Sequence, residues 1–129
     1  MANRNEERQA GVIIYVASLN LSAYRFAKGL APLNFEDTST SEFLISRYFP
    51  FIMNEDLDYR IAHQYFLQNM FENGWVCGQE NFSARTHPDL VSWDQLPQES
   101  KELYGYTATL VCSAKDFYQT LKTIWKRSS

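Results

Sequence analysis

The sequence predicts a mainly α fold, one domain over residues 1-129 with short β segments around a central loop. Three observations predict it. Apolar residues recur at spacings of three and four over long stretches near both ends and in the middle of the chain. A length of 129 residues with 45% hydrophobic and 16% aromatic content is enough for one real core and argues against disorder. The residues that force turns, Gly74, Gly78, Pro88 and Pro97, fall together in the stretch from Asn73 to Pro97.

Taken in order, the chain begins with apolar residues at Val12, Ile13, Val16, Leu19, Ala23, Phe26, Ala27 and Leu30, the pattern of an amphipathic helix over 6-30 that allows an interruption near Asn20. The β-branched cluster Val12 to Val16 suits a strand equally well taken alone. The helical periodicity on both sides favours helix. Gly29 or Pro32 ends it. Ser39 or Thr40 caps a helix over 42-48, and Pro50 is expected to stop that helix, because the residue before a proline is pushed out of the helical region.

The clearest helix covers 56-73. Leu57, Ile61 and Tyr65 form one row, with Ala62, Phe66 and Met70 beside it, and Asp56 and Asp58 suit its positive N-terminal end. Gly74 reads as the left-handed residue that closes it. Extended segments near Val76 and Val91 are expected to pair. Pro97 opens a further helix through Val111, which Gly105 weakens by about 1 kcal/mol relative to Ala. Ser113 with Asp116 resembles a capping box, so a separate last helix is predicted, burying Phe117, Leu121, Ile124 and Trp125. Lys122, Lys126 and Arg127 complement its dipole.

Composition narrows the function classes. A net charge of -3 predicts no strong attraction to nucleic acid. Cys77 and Cys112 lie in different elements without a close metal-ligand partner, and free thiols in a reducing cytoplasm are the expectation. Arg4, Glu6, Glu7 and Arg8 precede an apolar run too short for a secretory signal, and Val12 to Leu21 falls short of the ~20 residues that span a bilayer. A soluble cytoplasmic protein with no membrane or nucleic-acid partner is expected.

The order Gly74-Trp75, Gly78, Thr86-His87-Pro88, Leu90-Val91, Trp93, Leu96-Pro97 and Lys101-Glu102 is similar to the ryanodine-receptor repeat, the RyR domain. His63 and Phe66 match that family's His-x-x-aromatic positions, and the resemblance covers roughly 63-106. The chain departs from the pattern at Gln79-Glu80-Asn81-Phe82, where a Pro-hydrophobic-Arg-Asp run is usual, at Asp89, where Cys is frequent, and at Leu103-Tyr104, where Tyr-Asp is frequent. The repeat occurs in calcium-release channels and as single copies in small bacterial and phage proteins, which this chain resembles in size. The resemblance implies a helical binding module for nucleotides or nucleotide-derived signals. In a phage protein, sequestering a host signal would be the matching role. A single repeat has half the surface of paired repeats, so self-association as a homo-oligomer to complete a shared site is a hypothesis.

The candidate ligand-binding residues are Trp75, Gly78, Arg85, His87, Trp93, His63 and Phe66. An indole can stack a purine, for roughly 1-3 kcal/mol per base in nucleic-acid complexes. A guanidinium forks onto phosphate, which gives Arg85 the phosphate and leaves His87 to order the loop. The competing account makes Trp75 and Trp93 core plugs and the protein an interaction domain with an exposed apolar patch. A hydrolase built on Cys77 with His63 and His87 lacks a supporting motif, and those three residues have no metal-ligand spacing. The acidic run 54-58 lacks the glycine and closing Glu of a calcium loop. No catalytic residues, metal or cofactor are expected.

Overall fold

The computed structural model describes residues 4-128, and the side chains of Arg4, Glu6, Glu7, Trp125 and Arg127, on which part of the sequence reading falls, lie outside what is described. The fold is mainly α: α1 is Arg4–Ala27, α2 Thr38–Met53, α3 Tyr59–Glu72 and α4 Gln98–Ser128. A short 3-10 turn, Trp93–Gln95, precedes α4. Between α3 and that turn, β1 (Val76–Cys77) pairs in parallel with β2 (Thr86–His87), with Val76 opposite Thr86 and Cys77 opposite His87.

The cluster Val12 to Val16 is helical and α1 runs through Asn20 without a break. Its segment Arg8–Ala27, with mean hydropathy 1.2, is long and apolar enough to cross a membrane by length and composition, a longer stretch than the Val12 to Leu21 run suggests. Gly29 and Gly74 both take positive φ, 71° and 85°. At each, the following amide reaches back five residues, Leu30 N–H to Arg25 O at 2.9 Å and Trp75 N–H to Met70 O at 3.0 Å. These are Schellman closures, in which glycine avoids the steric cost of the left-handed region.

Several expectations are corrected. α2 starts at Thr38, one turn earlier than Ser39 or Thr40 as caps implies, and does not stop at Pro50 but continues to Met53. The missing Pro50 N–H costs only a last-turn bond, while the extra turn buries Phe51 completely, so tertiary packing overrides the local break. No break occurs at Ser113, because Leu110, Val111 and Ala114 carry the buried periodicity straight through the capping signal. Phe117 and Ile124 are accordingly half exposed rather than buried. The strand partner of Val76 is Thr86, not Val91, whose carbonyl instead accepts from His63.

On α3 the Ala62, Phe66 and Met70 row is fully buried, while Ile61 is half exposed. Asp58 caps the helix, accepting from Arg60 N–H at 2.8 Å. The core joins Ile13 and Ala17 of α1, Phe43, Tyr48 and Phe51 of α2, Phe66 and Met70 of α3, Trp75, Leu90 and Leu96 of the loop, and Tyr104 and Val111 of α4.

Candidate ligand-binding cavity

Local chemistry holds the loop in place before any site is considered. Arg85 adopts φ 56°, an uncommon left-handed conformation for a residue with a side chain. It closes a turn in which Arg85 N–H donates to Phe82 O and Ala84 N–H to Asn81 Oδ1. Gly78 lies where Thr86 comes close, since an added Cβ would sit 3.3 Å from Thr86 Cβ. A side chain at Gly78 would press on Thr86, which would have to give by a few tenths of an ångström.

The seven residues singled out in the sequence lie in different places. Trp75 is 1% exposed, its ring T-shaped to that of Phe82, and its indole N–H donates to Glu42 Oε1 at 3.0 Å. Arg85 Nε–H donates to the same oxygen at 2.9 Å. Arg85, chiefly by that hydrogen bond, holds the Glu42 carboxyl below its ordinary pKa. Phe66 is completely buried, against Phe43 and His87. His63 and Trp93 border a separate hollow of about 300 Å³ with Arg60, Gln64, Leu67, Ser92 and Asp94.

The two nitrogens of His63 are both engaged. Nε2 lies 2.6 Å from Val91 O, which can only accept, so the proton sits on Nε2. Nδ1, 2.5 Å from the Tyr104 hydroxyl, then accepts. Burial lowers the His63 pKa and pushes the Tyr104 phenol up to about 12, so both stay neutral at pH 7. This pair ties α3, the loop and α4 together.

His87 alone of the seven lines a second cavity, of about 280 Å³, walled by α1, α2, the loop and α4. Its charged walls are Arg25, Arg47, Glu80, Asp89 and Glu99, and its ring walls include Tyr24 and Tyr106, tilted with centroids 5.2 Å apart. Arg47 and Asp89, each 5% exposed, pair at 3.2 Å. Asp89 also accepts from Ser100 Oγ–H at 2.9 Å. Burial alone would raise the Asp89 carboxyl, but Arg47 and the Ser100 hydroxyl help hold it below its ordinary value. Arg47 Nε and Nη1 have no hydrogen-bond partner among the described residues. The guanidinium carbon sits 4.4 Å from the Phe66 ring centre, 4.9 Å from Tyr104 and 5.5 Å from Phe43, an aromatic cage that faces the cation with π density.

Arg25 reaches in from the last turn of α1 and grips both Glu80 carboxylate oxygens, at 2.5 and 3.3 Å, while its Nε–H donates to Ala31 O. The backbone N–H of Asp89 donates to His87 Nδ1 at 3.1 Å, which leaves the ring proton on Nε2. Nε2 is 3.7 Å from Glu80 Oε2, too far for a hydrogen bond. Burial, then the Arg47 charge, lowers the His87 pKa to about 4, so the imidazole is neutral at pH 7 and offers one N–H donor.

Sequence reasoning missed Arg25, Arg47, Glu80, Asp89, Tyr24 and Tyr106. The available signal was in the departures from the repeat pattern, since Glu80 and Asp89 stand at two of them and both line the cavity. No protein-family model, curated protein or solved structure matches the chain.

Proposed function

We propose that the protein is a non-enzymatic, cytoplasmic binding module for a nucleotide-type small molecule, a single-copy relative of the ryanodine-receptor repeat, with the Asp89 and His87 cavity as its site. The observation that carries this reading is convergence: four segments far apart in sequence bring five charged groups, a neutral histidine and three tyrosines to one cavity. A base lies against Tyr24 and Tyr106, ribose hydroxyls donate to Glu80 or Asp89, and His87 Nε2–H meets a ring or carbonyl acceptor. The volume of about 280 Å³ suits the nucleoside part rather than a whole dinucleotide. Phosphates belong at the mouth. Arg25 and Arg47 are already paired, and Glu80, Asp89 and Glu99 would repel an anion placed inside.

Stacking on Trp75 and phosphate pairing by Arg85 do not enter this assignment, because both groups are held on Glu42 away from the cavity. Cys77 is not among the cavity's lining residues, and the Ser100 hydroxyl proton goes to Asp89 rather than to a histidine, which favours binding over covalent chemistry. The test is a thermal-shift screen with adenosine, guanosine, their nucleotides, NAD, ADP-ribose and cyclic dinucleotides. A native-state ligand raises Tm as its concentration passes Kd. The shift is expected to vanish in Tyr106→Ala and Ser100→Ala and to persist in Arg85→Ala, each checked for helical content. No shift at millimolar ligand, or a shift abolished only by Arg85→Ala, overturns the assignment.

A further inference from the structure

The outer face of α1 is apolar where a surface helix should be polar. Between Gly11 and Ala27 its exposed residues are Gly11, Val12, Tyr15, Leu19, Asn20, Ala23, Phe26 and Ala27, none of them charged. Arg25, the one charged residue in that span, is turned inward onto Glu80. Since α1 also buries Ile13 and Ala17 on its inner side, it is hydrophobic all round, the mark of a helix covered on both sides.

We propose that this face is a homodimer interface in which α1 packs antiparallel on α1 of a second copy, about a two-fold axis at Leu19. This does not rest on the ligand reading. Val12, Tyr15, Leu19, Ala23 and Phe26 are separated by three, four, four and three residues, a spacing that reads the same in both directions. An antiparallel partner therefore sets Leu19 on its own counterpart, Tyr15 on Ala23 and Val12 on Phe26, large on small as close packing requires. Phe26, 87% exposed and the most prominent knob, lands beside Gly11, where an added Cβ would meet nothing within 4 Å.

The patch is also large enough. Phe35 and Ile45 extend it, and Tyr15, Phe35 and Ile45 share one continuous hollow with Gly11. The large side chains Val12, Tyr15, Leu19, Phe26, Phe35 and Ile45 are 40% to 87% exposed. At on the order of 100 Å² each they offer roughly 600 Å² per protomer, the lower end of the ~600–1,000 Å² each partner gives a standard stable interface. A lipid surface fits less well, because a chain of net charge -3 is repelled by anionic headgroups.

Sedimentation velocity across a range from low to high micromolar protein tests the interface in the full chain. The wild type is expected to pass from monomer to dimer as concentration rises. Leu19→Glu, which sets two like charges face to face at the axis, and Phe26→Glu should remain monomeric with unchanged circular dichroism. Ile61→Glu, an equally exposed apolar site on α3, should still dimerise. Mild oxidation of Leu19→Cys should give a covalent dimer, whereas Ile61→Cys should not. A wild type that stays monomeric throughout, a Leu19→Glu protein that still dimerises, or a monomer that floats with phosphatidylcholine vesicles would each overturn the proposal.

Discussion

Acidification from pH 7 to pH 4 should destabilise the fold chiefly through His87. Its imidazole is buried among Arg47, Asp89, Glu80 and Arg25, with Phe43 stacked on it at 5.3 Å, and its pKa falls from 6.5 to about 4. The unfolded chain therefore takes up a proton near pH 6.5 that the folded chain refuses until about pH 4. Stability from this group is complete above about pH 6.5, is lost as pH falls through the window, and changes no further below pH 4. A difference of about 2.5 pKa units at about 1.4 kcal/mol each amounts to roughly 3 kcal/mol, a sizeable part of the 5-15 kcal/mol of a typical domain. His63, lowered by burial, adds a loss of the same sign. Asp89 and Glu42 are held below 3.8 and 4.5, so their contribution is lost at lower pH than that of the histidines. Urea unfolding at half-unit pH steps gives the profile for the wild type and for His87→Gln. The variant should lose most of the slope between pH 6.5 and 4, leaving the His63 part. Parallel profiles for the two proteins would refute the argument.

Three further outcomes follow from the same contacts. Asp89→Asn leaves the Arg47 charge buried without its counterion and should cost about 3-5 kcal/mol in denaturant unfolding, with most of it recovered in the double variant Arg47→Met, Asp89→Leu. Glu42→Ala strands the buried Trp75 indole N–H for about 1-3 kcal/mol and should alter tryptophan fluorescence, whereas Arg85→Ala, at the exposed end of the same bridge, should change stability far less. Gly74→Ala forces a side chain into φ 85° at the end of α3 and should cost roughly 1-2 kcal/mol, read as a lower midpoint with an unchanged urea dependence.

Local rules made much of the fold legible. The three-and-four periodicity located α1 and α3, cap and proline signals located α2, α4 was read as two helices, and Gly74 announced the end of α3 because only a residue without Cβ enters that conformation freely. Errors arose where burial opposed a local signal. Pro50 and Ser113 both say stop, yet Phe51 and Val111 gain more from the core than the helix loses at those points. The cavity was less legible for a related reason. Arg25 and Arg47 lie on helices outside the 63-106 stretch, and nothing in spacing pairs Arg25 with a residue 55 positions away. His87 was found because a His-Pro dipeptide fixes its own backbone. Trp75 attracted attention as a stacking platform, but a single sequence does not say which face of an indole ends in the core.

The parallel pairing of β1 with β2 has an evolutionary consequence. Because Val76 and Thr86 are fastened to each other, the eight residues from Gly78 to Arg85 form a stitch closed at its base. Its tip residues Ser83 and Ala84 are exposed, while Glu80 within it faces the cavity. In the proposed binding role, substitutions along the stitch would therefore reshape the cavity wall at Glu80 without rethreading the helices. A lineage could retune selectivity in this segment while the scaffold stayed constant, and a library randomised over 79-84 would explore the same freedom in the laboratory.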